Sequence, residues 1–315
     1  MVLNNVLNQQ INNEEVLEAK HIFAIDYLKL KVEITNNPLE LSQNMVIPLT
    51  KFDGEFQPLQ ESYSKQWVCG SYNDHIQIKA INKNEILIHG NLFKWLNGQN
   101  VTGTTDLIQL VLDTVNRLSQ IFNAITPTDT EIENIKLGLF RIYRIDVNKA
   151  LLFDDKQKAQ QYLSSIKEHG TYPRRDREVE KNGIYFGKGS KRTTLLYYFK
   201  GQEIRSHNKQ QTTLTTELRE YADRMIRCEV RLFNQQLRDS ELHYGYCWNE
   251  ELVKHLVEDA HSKLNLPEPV SEIELPAKYI RFLATQKQGA LHIGYTASTT
   301  ALYKRVLARD YGLMV

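Results

Sequence analysis

The sequence predicts an α+β fold: an antiparallel sheet with helices on one face, followed by a small helical domain. Three observations predict it. Several stretches alternate apolar and polar residues with the two-residue period of a strand. Two others, near 107–122 and 154–168, carry apolar residues at helical spacing. From about Asp239 the pattern turns helical, which divides the chain into 1–238 and 239–315.

In chain order, residues 1–20 read as a helical or loose leader, polar and Asn-rich. Asp26 to Ile34 alternates and forms a half-buried first strand. Residues 35–65 hold Asn-Asn-Pro and Phe-Asp-Gly turns between short strands. His75–Lys79 and Glu85–His89 make a hairpin across Asn82-Lys83-Asn84. A short helix follows Gly90. The Asn/Gly/Thr-rich loop after it ends at Thr105 or Asp106, either of which can cap the helix from Leu107 to Phe122. Leu139 to Val147 is a strand, 154–168 an amphipathic helix and Pro173 to Asn182 a charged loop. Ile184–Gly187 and Thr193–Phe199 form a second hairpin. Glu217–Arg224 is helical and Met225–Phe233 a strand.

Composition narrows the function classes. At 41% hydrophobic and 24% charged residues, the chain is an ordinary globular protein rather than a disordered one. Cys69, Cys228 and Cys247 contain no CxxC pair, which argues against a disulfide framework or structural zinc and fits a reducing cytoplasm. No apolar run approaches ~18 residues, so neither a signal peptide nor a membrane span is expected. The net charge of +1 is uninformative, but its distribution is not. Residues 171–209 carry ten Lys/Arg against four Asp/Glu, 239–275 two against nine, and 276–315 six against one. Two basic blocks flanking an acidic one suggest two surfaces that meet a polyanion.

Strand alternation also sorts the chemistry. Arg144, Asp146 and Asn148 face away from Tyr143, Ile145 and Val147. Arg227, Glu229 and Arg231 face away from Cys228, Val230 and Leu232. Tyr197 shares a face with Leu195 and Phe199, and Tyr198 shares the other with Thr194 and Lys200. If these strands join one sheet, its polar side collects Asp146, Glu229, His89, Tyr198, Lys200 and several arginines. Plain solvation would account for such a face. It also suits phosphodiester chemistry, with oxygen ligands holding Mg²⁺ or Mn²⁺, a tyrosine attacking phosphorus and basic residues gripping phosphates.

The residues carry a resemblance. Asn97 to Leu107, reading Asn-Gly-Gln-Asn-Val-Thr-Gly-Thr-Thr-Asp-Leu, resembles the GHNxxGTTDL-like stretch of the gene II and X replication proteins of filamentous phages. Arg144-Ile145-Asp146 resembles their RID strand. Arg192 to Glu203 resembles their tyrosine strand, in which Lys follows the Tyr by two residues and Glu by five. Ile226 to Arg231 resembles their (V/I)RxEx(R) strand. The blocks keep the family's order over roughly residues 75–235.

The resemblance implies a starter of rolling-circle replication: a metal-dependent, strand-specific endonuclease that nicks supercoiled DNA, links itself to the 5′-phosphate, frees a 3′-OH and later rejoins the displaced strand. It implies Tyr198 as nucleophile and Asp146 and Glu229 as ligands of Mg²⁺ or Mn²⁺, with Glu203 and His89 as further candidates. Lys200 would bind the scissile phosphate or help deprotonate the tyrosine. Arg144, Arg192, Arg227 and Arg231 would hold DNA. Related endonucleases carry a His-hydrophobe-His motif, of which Leu87-Ile88-His89 keeps one His. Gly98, Asn100, Gly103 and Thr104 read as a structural loop. Implied partners are origin DNA, duplex and single-stranded, and the host helicase, polymerase and single-strand-binding protein.

At the C-terminus, 277–288 and Ala301–Arg309 read as two helices, the second capped from Ser298-Thr299-Thr300 and carrying Lys304 and Arg305. They allow a helix-turn-helix-like DNA reader or a packing subdomain. Rival functions are a plasmid initiator or relaxase using the same chemistry, and a non-enzymatic DNA-binding repressor or copy-number regulator.

Overall fold

The computed structural model describes residues 23–43, 46–49, 60–70, 74–207, 214–266, 275–287 and 294–311. The leader expected over 1–20 and the Phe-Asp-Gly turn lie outside these residues. The strands are β1 (Phe23–Glu33), β2 (Val46–Leu49), β3 (Gln60–Tyr63), β4 (Gln66–Cys69), β5 (His75–Asn82), β6 (Glu85–Gly90), β7 (Arg141–Leu152), β8 (Arg177–Val179), β9 (Gly183–Phe186), β10 (Thr193–Phe199) and β11 (Met225–Phe233). Among the described residues nine strands form one sheet in the order β4-β5-β6-β1-β7-β11-β10-β9-β8, and β2 pairs with β3. Each of these pairings is antiparallel.

Helices connect these strands: α1 (Pro38–Leu41), α2 (Leu92–Asn97), α3 (Leu107–Ile121), α4 (Asp129–Lys136), α5 (Lys156–His169), α6 (Lys200–His207) and α7 (Thr216–Asp223); α8 (Asn234–Asp239) and α9 (Glu250–Ser262) follow the last strand. Asp106 caps α3, accepting from the Gln109 amide at 2.9 Å. The α3 stripe of Leu107, Leu110, Val111, Val115 and Leu118 is buried. The fold is α+β, as the sequence predicts.

The register puts alternate residues on two faces. Ile145, Val147, Cys228, Val230 and Tyr197 lie on the apolar face, where α9 reaches Tyr197 through His261. Asp146, Glu229, Arg231 and Tyr198 lie on the other, alongside Tyr185 of β9. At one end this polar face is covered rather than solvated. Val101, Ile204, Leu214, Tyr221 and Ala222 pack on Ala150 and Met225, so α6, α7 and the 98–104 loop close over it. Arg227 is thereby buried to 2% exposure, while Asp146 and Glu229, 2% and 3% exposed, lie against Arg144 and Arg231.

One residue and one boundary differ from expectation. The tyrosine strand ends at Phe199 as expected, but Lys200, read on its polar face beside Tyr198, instead opens α6, so the Lys200–Glu203 spacing is an i,i+3 helical pair. The compact units divide between Leu264 and Asn265, not near 238. The reason is packing: Ile142 donates to the His243 carbonyl at 2.8 Å, and α9 buries Val253 and Val257. A chain cut after residue 238 is therefore expected to lose the fold, whereas one cut after 266 keeps it. Exposing two valines and Ala260 costs several kcal/mol at ~1.5–3 kcal/mol per large side chain, close to a domain's whole margin. Equal melting temperatures for the two shortened chains would refute this.

The second unit holds α10 (Ala277–Lys287) and α11 (Ala297–Tyr311). Tyr279, Phe282 and Leu307 form its core, with Tyr295 and Tyr303 edge-on to Phe282 at 5.2 and 5.4 Å. The α11 cap is Thr296, whose hydroxyl accepts from the Thr299 amide at 3.2 Å, two residues before the expected Ser298. Lys304 and Arg305 lie on α11, Arg305 exposed.

Candidate active site

A cavity of about 340 Å³ opens on the polar face. Its walls include Tyr198 from β10, Glu229 and Arg231 from β11, Asp146 and Arg144 from β7, Asp26 and Tyr27 from β1, Tyr185 from β9 and Glu203 from α6. Neighbouring strands thus deliver alternate residues to one place, as their period dictates.

Tyr198 is 8% exposed, and its hydroxyl points to Glu229 Oε2 at 3.5 Å. Burial pushes its phenol well above the usual value. The Arg227 guanidinium opposes that shift, while Glu229 and Asp26 add to it. Burial raises the Glu229 carboxyl to about 7; Arg231 pulls it down and Asp146 pushes it up. A protonatable carboxylate therefore stands beside a neutral phenol.

Lys200 is fully buried, 5.9 Å from the Tyr198 ring centroid. Its ammonium donates to Asn100 Oδ1 at 2.8 Å and pairs with Glu203 at 2.8 Å. Burial, then Arg227, lowers its pKa to about 8. Asn100 also donates to Asp26 Oδ1 at 3.0 Å, and Asn91, the N-cap of α2, donates to the same oxygen at 2.6 Å. The 97–107 loop is thus structural in its glycines but touches the site through Asn100. Gly98 adopts φ 72° to end α2, and a Cβ on Gly103 would stand 2.4 Å from the Ala24 Cβ.

Asp26 is not among the residues that the sequence singles out. Burial alone would raise its carboxyl, but Arg227 and Lys200, helped by the two amides, hold it below the usual range. Alternation does not flag it because a bulge between Ile25 and Tyr27 breaks the register there. Tyr27 escapes as a site wall for a simpler reason: an aromatic residue in a strand carries no specific signal.

The predicted metal ligands converge in part. Asp146 accepts two bonds from Arg144, at 2.8 and 2.6 Å. Arg231 Nε lies 2.7 Å from Glu229 and 3.6 Å from Asp146, so one guanidinium serves both carboxylates. Among the described residues no three His, Cys, Asp or Glu side chains gather as a metal set. A carboxylate pair sharing a cation fits an oxygen-liganded divalent ion that completes its shell from water and phosphate, not a cage built by protein alone. His89 is not at the cavity. It takes a hydrogen bond with the Tyr27 hydroxyl at 3.1 Å on Nδ1 and meets Gln77 on Nε2.

The predicted DNA contacts separate likewise. Arg144 and Arg231 line the cavity, over the Tyr27 ring at 4.3 Å and the Tyr185 ring at 5.5 Å. Arg192 is half exposed and pairs with Asp239 at 2.7 Å. Arg227 is corrected: at 2% exposure it donates to the Val101 carbonyl at 2.9 Å and flanks Tyr198, so it faces the nucleophile candidate, not solvent. Lys304 and Arg305 belong to the second unit.

Comparison with known proteins gives three findings. A family model for the N-terminal part of the phage replication-associated protein, the gene II protein, matches residues 24–251. The replication-associated protein of this type from Enterobacteria phage I2-2 is 23% identical over 270 residues, covering 80% of this chain and 78% of the relative. A solved rolling circle replication initiator protein from Geobacillus stearothermophilus covers 83% of this chain and 95% of its own, at 11% identity and a TM-score of 0.30.

Proposed function

This chain belongs to the phage replication-associated protein family of the gene II type, and we propose that it starts rolling-circle replication by nicking one DNA strand with Tyr198 as nucleophile. One observation carries the reading: the Tyr198 hydroxyl lies in a carboxylate-lined cavity, 3.5 Å from a glutamate whose pKa is raised to about 7.

In the nicking step the Tyr198 oxygen bonds to phosphorus, its proton passes to Glu229, and the phosphorus–O3′ bond breaks. The departing 3′-oxygen takes a proton from water and becomes the 3′-OH that primes synthesis. The 5′-phosphate stays on Tyr198 as a phosphodiester, and a later attack by a 3′-OH reverses the chemistry and rejoins the strand. A phenol near pKa 10 or above needs positive charge close by to react at neutral pH. Arg227 and Lys200 supply it from buried, fixed positions, which costs no reorganisation during reaction. Lys200, sealed beneath Asn100 and Glu203, acts by its field rather than by gripping phosphate.

Asp146 and Glu229 would hold Mg²⁺ or Mn²⁺, which when bound offsets charge on the phosphate oxygens. Arg144 and Arg231 are the guanidiniums placed to meet DNA phosphates. Origin DNA is the proposed substrate, and the helicase, polymerase and single-strand-binding protein of the host are proposed partners. No helix among the described residues is long and apolar enough to cross a membrane; a cytoplasmic site of action is part of the proposal.

The test is an SDS-resistant adduct with a single-stranded origin oligonucleotide and Mn²⁺. A DNA-binding repressor gives none.

A further inference from the structure

Among the described residues the polar face is roofed over Ala150 of β7 and Met225 of β11 and open towards β4, and the open half has its own chemistry. The register lays two rows across it. Arg144 is opposite Lys29, Lys29 opposite His89, His89 opposite Gln77, and Gln77 opposite Trp67 on the edge strand β4. Arg141 is opposite Lys31, Lys31 opposite Leu87, and Leu87 opposite Lys79. The rows hold five Lys and Arg side chains. Glu85 pairs with Lys31 beside them. The positive field reaches His89, whose pKa is lowered by burial and then by Lys29, Lys65 and Arg144.

Trp67 is 68% exposed, an unusual state for indole on an otherwise ordered strand. An isolated exposed Trp needs no function. One standing at the end of a basic sheet face that leads to a phosphodiester-handling cavity is a stacking platform in the position where single-strand binders use one.

We propose that this open half of the sheet is a track for single-stranded DNA, running from the cavity across β1, β6 and β5 and ending in a base stacked on Trp67. The proposal rests on the reading of Tyr198 as the point of attack on DNA. From β10 to β4 there are six strand steps. They span about 29 Å at the usual spacing, enough for several nucleotides. Charge selects a polyanion, and the ring selects an unpaired base, because a duplex keeps its bases stacked on one another. Gln77 and His89, the groups in these rows able to read base edges, bond each other, so lysines and arginines set the contact and sequence along the track is tolerated. Sequence choice would then lie elsewhere.

The three tryptophans make the test direct. Trp95 and Trp248 are 1% and 6% exposed, so Trp67 is the one whose emission a ligand on this face can reach. Full-length protein is titrated with oligo(dT) in EDTA, so that no cleavage intervenes. Quenching and a blue shift of the exposed-indole emission are expected, and both should vanish in Trp67→Phe, which keeps a stacking ring and near-normal affinity. Trp67→Ala should weaken oligo(dT) binding roughly 5- to 150-fold, the range of one lost base stack. Lys29→Gln should weaken it and make the salt dependence shallower. Unchanged affinity in Trp67→Ala, or equal quenching by duplex of the same length, would overturn the track. If quenching and the Trp67→Ala loss hold while the protein forms no adduct, the track stands and the Tyr198 reading falls.

Discussion

Tyr198→Phe is expected to eliminate the covalent DNA adduct while the fold survives, and Tyr197→Phe to leave the adduct intact. The two side chains are adjacent in sequence and opposite in structure. Tyr197 is fully buried on the apolar face, its hydroxyl bonded to His261 Nδ1 at 2.9 Å. Burial drives its phenol far above the range in which it could ionise. Removing its oxygen should cost about 1 kcal/mol, the net worth of one hydrogen bond. Tyr198 faces the cavity with Glu229, Arg227 and Lys200 around it. Its oxygen is the only part the reaction needs, and phenylalanine fills the same space. The measurement is adduct yield on an origin oligonucleotide, by SDS gel and peptide mass, with melting curves as a control on folding. An adduct lost in Tyr197→Phe and kept in Tyr198→Phe would invert the assignment. An adduct kept in both would move attention to Tyr185, the cross-strand neighbour of Leu196 that lines the same cavity.

Strand period makes this division legible in sequence, because a side chain's face in a paired strand is fixed by its position alone. The same logic places Asp146, Glu229 and Arg231 together. It fails wherever the backbone leaves the strand period. The Asp26 bulge hides a buried carboxylate, and the turn from β10 into α6 makes Lys200 a helical residue whose burial no alternation can anticipate. His89 shows a different limit. It sits on the predicted face, but two strands from Asp146, since β1 lies between β6 and β7, and Tyr27 takes its Nδ1. Face membership is local information, whereas strand order is not. Arg227 illustrates the third gap: a polar face reads as exposed until the elements that cover it, here the 98–104 loop and α6–α7, are known.

Glu229→Gln is expected to reduce nicking at least ~100-fold, the lower range for losing a general base, and to flatten the pH dependence of stability. The two effects have one cause. In the folded protein burial raises the Glu229 carboxyl to about 7, against an ordinary value of 4.5. A raised carboxyl contributes stability that is fully present below the unfolded value and is lost as pH rises through about 7. The size is on the order of 3 kcal/mol. Nicking runs the other way, because Glu229 must be ionised to take the Tyr198 proton. The wild-type protein should therefore melt lower at pH ~7.5 than at pH ~6 while nicking faster, below the point near 8 where Lys200 loses its charge. Asp146 is raised too, by burial first, so Glu229→Gln should reduce the slope of stability without removing it. Asp26 is lowered, and its contribution is lost only as pH falls through its depressed value, below this window. Added Mn²⁺ should raise the melting temperature of the wild type more at the higher pH, where both ligand carboxylates are ionised, and less in Glu229→Gln. Nicking that persists in Glu229→Gln at every pH, with the stability slope unchanged, would show that the Tyr198 proton goes elsewhere and that Glu229 is no part of the reacting set.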